Sequence, residues 1–288
     1  MSFKIGVAVR NGQNMGSREL ARELQMNFEL LTKEHTDEYQ QINRSCDNDQ
    51  EIQLAMIDDL IKEEVDLLIV ELVQSYAAAT VIAKVKEADI PVIFINVQPL
   101  NDTDLKIWPG KTTFVGSDFN QSYLLLANYL NKQDDHGDRN HNGNLNYSWY
   151  VNDSTMMSEK QAENYPLNGN YPAILLDYEI MKKEEKARKA IYKNMLKADH
   201  YKAIDVIFCD DIQTAVEISA LTEIKKSGKY ILAFDLNPLD DNYSEIDALL
   251  LSDYPKQAAK AVEIADELCH EKIVKSYYMI DWLLKTKQ

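Results

Sequence analysis

The chain alternates short apolar runs with amphipathic stretches of helical spacing. Residues 3–10 (FKIGVAVR), 65–72 (VDLLIVEL) and 91–96 (PVIFIN) are apolar runs rich in Val and Ile, which is typical of buried parallel strands. Between them, residues 49–63 place apolar side chains along one helical face. Because parallel strands need crossover helices, this alternation predicts a doubly wound α/β fold.

The alternation runs through the chain twice, which predicts two lobes. The first series ends near residue 115, and a second begins with residues 147–151 (YSWYV). A length of 288 residues accommodates two domains with separate cores. We therefore predict two doubly wound parallel-sheet lobes joined by a three-crossing hinge. The N-terminal lobe takes residues 1–114 and 255–278, the C-terminal lobe takes residues 115–254 and 279–288, and the crossings fall near residues 110–116, 252–255 and 279–282.

Helices are predicted where apolar residues recur at helical spacing. Ser17 is a candidate N-cap for the first helix, and the C-terminal residues 276–282 are predicted to form a last strand. The predicted helices include residues 17–34, 159–165, 181–197 and 212–226.

Composition excludes several classes of protein. The net charge of −16 argues against nucleic-acid binding, which requires a basic face. No apolar run is long enough to span a membrane. The cysteines are three, far apart and without a CxxC pair, so neither a disulfide framework nor a zinc site is expected. The chain opens on a strand with no signal peptide, which indicates either a cytoplasmic protein or an exported one without its signal.

A polar loop, residues 138–146 (DRNHNGNLN), has the spacing of a calcium-binding loop. Gly143 is sixth, where such a loop turns sharply, and Leu145 is eighth as the apolar anchor. Position twelve is Trp149 instead of a bidentate carboxylate, so the loop is not an EF-hand. Two hypotheses remain: an Asx-rich turn, or a calcium site whose last carboxylate is distant in the chain. The oxygen donors within the loop are Asp138, Asn140, Asn142, Asn144 and Asn146.

Polar side chains follow most of the predicted strands. Ligands of open parallel sheets bind beyond the carboxyl ends of the strands, so with two lobes we expect the ligand between them. Amides and carboxylates with little positive charge suit a small, neutral, polyhydroxylated ligand better than an anion. Asn and Asp at strand ends also cap helices, Asp211 above all, and Tyr and Met side chains are more often core. The candidate ligand-binding residues are Asn14, Met15, Asn96, Asn152, Asp153, Tyr178, Asp211, Asp235 and Ser252.

Several segments together resemble a known family. These are residues 46–53 (CDNDQEIQ), 77–96 (AAATVIAKVKEADIPVIFIN) with the nearby Pro99, 114–118 (FVGSD) and the loop 138–146. The chain is similar through most of its length to the periplasmic galactose/glucose-binding protein family, the type 1 periplasmic sugar-binding proteins of ABC transporters. The resemblance implies the type 1 fold, with two lobes that close on a sugar.

The resemblance also implies roles for individual residues. The family completes its calcium site with a downstream carboxylate, and the matching position is Asp205, one methylene shorter than the family's Glu. With few acidic ligands, a structural and weak calcium site is implied, with a dissociation constant of about 10⁻⁴ M. Asn96, Asp211 and Asp235 match sugar-binding positions and Asn14 lies on or beside one. The family's two stacking aromatics are not reproduced, because Met15 and Tyr178 are the nearest equivalents.

Three functions are compatible with these patterns. The leading hypothesis is a monomeric, extracytoplasmic solute-binding protein that delivers a sugar-like ligand to a membrane ABC permease. The second keeps the fold but serves a membrane sensor kinase or chemoreceptor. The third, a Rossmann-type enzyme, is disfavoured because Gly12 and Gly16 do not form the GxGxxG motif and no catalytic Ser-His-Asp or Cys-His set stands at strand ends.

Overall fold

The computed structural model describes residues 1–13, 15–101, 103–152, 171–181, 184–235 and 244–287. The helices are α1 (Met15–Glu34), α2 (Gln50–Lys62), α3 (Ala78–Glu87), α4 (Phe119–Asn131), α5 (Glu185–Lys197), α6 (Ile212–Ser219), α7 (Thr222–Ser227) and α8 (Tyr254–Cys269). The strands are β1 (Ser2–Val9), β2 (Glu38–Ser45), β3 (Leu67–Val70), β4 (Val92–Ile95), β5 (Thr112–Ser117), β6 (Leu145–Asn152), β7 (Ala173–Met181), β8 (Val206–Cys209), β9 (Tyr230–Asp235), β10 (Ala248–Leu251), β11 (Tyr277–Ile280) and β12 (Leu283–Thr286).

The chain forms two compact units, and each has its own six-stranded sheet. Unit 1 comprises Met1–Ser117 and Ser252–Asp281, and its sheet has the order β11-β5-β4-β3-β1-β2. Unit 2 comprises Asp118–Leu251 and Trp282–Gln288, with the order β12-β10-β9-β8-β6-β7. All described pairs are parallel except β10 with β12. The predicted fold class of two doubly wound α/β lobes is confirmed.

The chain passes from one unit to the other three residues from each predicted boundary. The chain passes between them after Ser117, Leu251 and Asp281. Residues 115–117 stay in unit 1 because β5 pairs with β4 as far as Val115 and with β11 as far as Ser117, its last residue. Residues 279–281 stay there because β11 continues its pairing with β5 as far as Ile280.

Apolar side chains cover the sheets where the helices pack on them. In unit 1, α1 and α8 bury Leu20, Leu24 and Val262 against strands of the sheet. In unit 2 one cluster joins α4 to the sheet and another joins α5, α6 and α7 to it. Helices on both faces leave the strand ends as the places where polar groups gather.

Four sequence predictions about elements need correction. The single strand predicted over residues 276–282 is two strands, because the chain passes from one sheet to the other between β11 and β12. The helix predicted over 212–226 is broken into α6 and α7, and α5 begins at Glu185 because Met181 still pairs in β7. Ser17 lies inside α1 and is not its N-cap. The helix predicted over 159–165 lies outside the described residues.

Candidate functional site

The order of the strands in unit 1 marks one crevice at the carboxyl edge of the sheet. From β1 the chain first adds β2 on one side and then β3 on the other, so the direction of winding reverses between β1 and β3. Ligands of doubly wound sheets bind at such a switch point, beyond the carboxyl ends of the two strands. Arg10 directly follows β1 and Glu71 directly follows β3.

Glu71 is the centre of a buried polar network at this point. Its side chain is 1% exposed. One carboxylate oxygen, Oε2, accepts hydrogen bonds from Ser17 Oγ (2.7 Å) and the Arg10 backbone N–H (3.2 Å). The other, Oε1, accepts from Asn96 Nδ2 (2.9 Å) and lies 3.6 Å from Arg10 Nε. A buried carboxylate requires such partners, since an unpaired one costs several kcal/mol in a protein interior.

The Arg10 guanidinium retains hydrogen-bonding capacity. Its side chain is 10% exposed and forms an ion pair with Glu71, but the distance is too long for a hydrogen bond. Among the residues that the structure describes, no hydrogen bond holds its terminal nitrogens. A nearly buried guanidinium with unused donors is suited to bind ligand oxygens at the switch point.

Asn96 and Ser252, two of the predicted ligand residues, belong to the same network. Asn96 follows β4 with a φ of +64°, a backbone conformation that Asn tolerates better than most side chains. Its Oδ1 accepts a hydrogen bond from Ser252 Oγ (3.3 Å), while its Nδ2 donates to Glu71. Both residues are buried. The structure therefore brings them together, and each of their polar groups has one protein partner already.

In unit 2 the equivalent switch point lies between β6 and β8. Asp211 follows β8 and is the N-cap of α6: its Oδ1 accepts from the Thr214 backbone N–H and its Oδ2 from Thr214 Oγ1, both at 2.7 Å. Burial raises the pKa of Asp211. Tyr178 is half-buried, precedes the end of β7 and packs against the apolar cluster beneath α4. The structure therefore agrees with the alternative interpretation of these two residues: Asp211 caps a helix, and Tyr178 packs against the core.

The remaining predicted ligand residues, or their side chains, lie outside the part of the chain that the structure describes. Asn14 and Asp153 lie outside the described residues, and so do the side chains of Met15, Asn152 and Asp235.

Arg10 and Glu71 were not predicted from the sequence. Both stand at the ends of apolar runs, FKIGVAVR and VDLLIVE, and the rule that selected Asn96 selects them too. The candidate residues predicted from the sequence carry little positive charge, whereas in unit 1 the structure places Arg10 beside Glu71. Their charges offset each other, so the edge remains close to neutral.

The loop 138–146 closes around the carboxylate of Asp138. Its Oδ1 accepts the backbone N–H of Asn142 (3.0 Å) and its Oδ2 accepts that of Gly143 (2.8 Å). Gly143 has a φ of +82°, so the predicted sharp turn is confirmed. Leu145 is buried in the apolar cluster, as predicted for the anchor.

Asp205 reaches the same loop from the segment before β8. Its Oδ2 accepts the backbone N–H of Asn146 (2.9 Å), and its Oδ1 accepts both the backbone N–H (3.0 Å) and Nδ2 (2.8 Å) of Asn140. Asn140 Nδ2 also donates to the carbonyl of Ala203 (2.8 Å). The Asp205 carboxylate and the Ala203 carbonyl thus orient the side-chain nitrogen of Asn140 toward Asp205. The side-chain oxygen of Asn140 therefore faces away from Asp205.

These donors fit a cation only in part. Asp138 and Asp205 are both buried, and burial, with the charge of Asp138 adding to it, raises the pKa of Asp205. A cation between them would offset that cost. In contrast, the Asn140 oxygen faces away, and Asn142 Oδ1 accepts the backbone N–H of Asn144 (2.9 Å). Across the described parts of the chain no three His, Cys, Asp or Glu residues cluster as metal ligands, so an ion here would depend on amide and carbonyl oxygens.

A family model described as a periplasmic binding protein domain matches residues 15–273, most of both units. The chain belongs to this family. Periplasmic binding proteins are extracytoplasmic solute-binding proteins and not enzymes. Comparison with curated protein sequences finds no match. No helix in the described parts of the chain has the length and apolar composition needed to cross a bilayer.

Solved structures share the fold over nearly the whole chain. An ABC transporter periplasmic solute-binding protein from Actinobacillus succinogenes 130z, with bound D-allose, has a TM-score of 0.78 and 18% identity, covering 99% of this chain and 97% of that one. GanP, a glucose-galactose binding protein from Geobacillus stearothermophilus, has a TM-score of 0.74 and 14% identity, covering 100% and 98%. The fructose-binding periplasmic domain of the hybrid two-component system BT1754 has a TM-score of 0.73 and 16% identity, covering 99% and 91%.

Proposed function

We propose that this periplasmic binding protein closes its two lobes on a small, neutral, polyhydroxylated ligand and delivers it to an ABC transporter. The observation that carries the proposal is the network of Arg10, Glu71 and Asn96 at the switch point of unit 1. It offers guanidinium and amide donors beside carboxylate acceptors, the combination that binds hydroxyl groups. The sugars and polyols in the structures similar to this chain, D-allose and myo-inositol among them, are molecules of this class.

The first experiment is a thermal-shift screen of sugars, polyols and nucleosides with the calcium concentration held constant. A ligand that binds only the folded protein raises its melting temperature in proportion to its concentration relative to Kd. We expect a shift with at least one sugar or polyol, confirmed as saturable binding by calorimetry. If only charged compounds shift the protein, the neutral ligand class is wrong.

The second experiment tests Arg10 once a ligand is known. Arg10→Lys keeps the positive charge beside Glu71 but removes the planar set of donors. We expect affinity to fall by about tenfold or more, since a hydrogen bond to a charged group contributes about 1.5–3 kcal/mol. Asn27→Ala, at a half-buried position of α1 that takes no part in the network, is the control and leaves affinity unchanged. Unaltered affinity of Arg10→Lys would remove Arg10 from the site.

A sensor role is the second candidate. It is consistent with the likeness to the periplasmic domain of a two-component system. The same ligand would then be read by a membrane kinase instead of a permease. Reconstitution with each candidate membrane partner distinguishes the two: ligand-stimulated transport supports delivery, and ligand-dependent phosphorylation supports sensing.

We also propose that Ca²⁺ binds the loop 138–146 together with Asp205 as a structural ion. The buried pair Asp138 and Asp205 supports this proposal, because a cation would stabilise both carboxylates. We expect EGTA to lower the melting temperature of the wild type, with no calcium dependence left in Asp205→Asn. The exposed Asp134→Asn is the control and keeps the response. A melting temperature that does not respond to EGTA would mean that direct hydrogen bonds alone close the loop.

A further inference from the structure

A second polar pocket lies on unit 1, apart from the Arg10–Glu71 network. It has a volume of about 360 Å³ and lies between α1 and the carboxyl end of β2. None of Arg10, Glu71, Asn96 or Ser252 lines it. Its principal polar lining residues, three from α1 and three from β2, are Arg18, Arg22, Gln25, Asn43, Arg44 and Ser45.

The charge of this pocket contrasts with the rest of the molecule. The chain has a net charge of −16 and only six arginines, yet three of the six line this one pocket. None of the described residues that line the pocket is acidic. Arginine is the side chain best suited to bind carboxylate and phosphate groups, because its planar set of donors matches two oxygens at once.

The three arginines can exchange their present partners for a ligand. Arg18 is exposed and has neither an ion pair nor a hydrogen bond with any described residue. Arg22 pairs with Glu19 and Glu23, and its side chain is 57% exposed. Arg44 pairs with Glu63 at 2.6 Å and its side chain is 41% exposed. Exposed ion pairs of this kind contribute little, so a multivalent anion in the pocket competes with them.

The floor of the pocket is held by a close backbone contact. The backbone N–H of Gly12 donates to Ser45 Oγ at 2.6 Å, which fastens the loop after β1 to the end of β2. A Cβ at position 12 would lie 2.9 Å from that oxygen, so glycine permits the approach. The pocket is therefore a concave feature of the folded unit, and the apolar residues Val9 and Ala21 line it beside the arginines.

We propose that this pocket is a binding site for a small molecule with phosphate or carboxylate groups, separate from the site for the neutral ligand. β2 is the edge strand of its sheet, at the opposite end from β5 and β11, where the chain leaves for unit 2. An anion bound there contacts unit 1 through the three guanidinium groups and extends its apolar part over Val9 and Ala21.

The test uses two probes, pyrophosphate for phosphate groups and citrate for carboxylate groups, titrated calorimetrically at constant ionic strength. We expect saturable binding of at least one probe. Arg18→Gln and Arg44→Gln each weaken it by about tenfold or more, the loss of one charge-assisted contact. Lys33→Gln, a charge removed elsewhere on α1, is the control. The side chains of Arg18, Lys33 and Arg44 are exposed, so these variants should fold, and their melting temperatures verify it.

A measurement on the wild type complements the variants. Pyrophosphate or citrate should protect Arg18, Arg22 and Arg44 from phenylglyoxal, as read by peptide mass spectrometry, but leave Arg139 in unit 2 unprotected. Absence of saturable binding at millimolar concentrations overturns the proposal. So does equal weakening in Lys33→Gln, which indicates nonspecific attraction. Affinity for the neutral ligand should be unchanged in Arg18→Gln, so failure here does not affect the proposed function.

Discussion

At the scale of single residues, Asn96 combines an unusual backbone conformation with a buried side chain. Its positive φ costs about 1–2 kcal/mol for most side chains, while Asn and Gly tolerate it. Its amide also connects Glu71 to Ser252. A residue with both properties supports the strand-end network, whatever ligand it contacts.

Asn96→Ala should destabilise unit 1 by about 2–4 kcal/mol. Part of this is the lost hydrogen bond to the buried Glu71 carboxylate, about 1.5–3 kcal/mol, and part is the strain of Ala at positive φ. Asn96→Gly removes the same side chain without that strain and should be more stable than Asn96→Ala by about 1 kcal/mol. Urea denaturation measures both. Equal stabilities of the two variants would contradict the role of the backbone.

His270 should make the stability of unit 1 depend on pH. Its Nδ1 lies 2.8 Å from the Asp266 carbonyl and its Nε2 3.0 Å from Asp37 Oδ2. The hydrogen bond to the Asp266 backbone, with the nearby Asp266 and Asp37 charges adding to it, raises the pKa of His270 above its ordinary value. The stabilisation is therefore fully present below pH ~6.5 and is lost as pH rises through the folded-state pKa.

The measurement for this prediction is the melting temperature of the wild type and of His270→Gln from pH ~5.5 to ~8.5, about one unit below to about two units above the ordinary His pKa. The advantage of the wild type should shrink as pH rises. An advantage that is constant or grows with pH would show that the imidazolium is not the stabilising form.

At the scale of elements, hydrogen bonds to the carboxylate of Glu217 connect α5 to α6. Glu217 accepts two hydrogen bonds from the Arg188 guanidinium, at 2.7 and 3.0 Å, and a third from Tyr192 OH at 2.8 Å. The hydrogen bond from Arg188 is the largest cause that lowers the pKa of Glu217 to about 2. A bidentate, half-buried pair of this kind is stronger than an exposed ion pair.

Glu217→Gln should destabilise unit 2 by about 1–3 kcal/mol, because Arg188 loses its counter-charge in a half-buried position. Glu185→Gln, which removes an exposed pair with Lys189 on the same helix, is the control and should cost less than about 0.5 kcal/mol. Because the pKa of Glu217 is lowered, its contribution is present above pH ~4.3 and is lost as pH falls toward 2. Denaturation at neutral and acidic pH tests both parts, and a deficit that persists unchanged at pH ~2.5 would contradict the linkage.

At the scale of the whole molecule, three chain passages connect the two units, after Ser117, Leu251 and Asp281. Binding proteins with two such lobes close by a hinge when the ligand binds. We expect the radius of gyration from small-angle X-ray scattering to decrease when the ligand found in the screen is added. The decrease should be absent with a sugar that does not shift the melting temperature. An unchanged radius at saturating ligand would contradict closure.

The sequence alone was sufficient for the architecture and for the sharp turn of the loop 138–146. Strand runs such as FKIGVAVR and VDLLIVEL are apolar because parallel strands are covered on both faces, so periodicity indicates them directly. The loop is local, and the turn at Gly143 follows from its position in a short pattern. The ends of elements were less predictable. Ser17 is a residue type typical of N-caps, but it lies inside α1, where its hydroxyl donates a hydrogen bond to the Glu71 carboxylate.

Tertiary structure decided which polar residues share a site. The network is formed by residues that are distant in the sequence: Arg10, Glu71, Asn96 and Ser252. Arg10 and Ser252 are 242 positions apart, and only the order of the strands in the sheet brings the four together. Strand-end position selected Asn96 and Asp211 alike, yet one enters the network and the other caps α6. The difference depends on which groups neighbouring strands present, and a periodic pattern along one chain carries no information about its neighbours across the sheet.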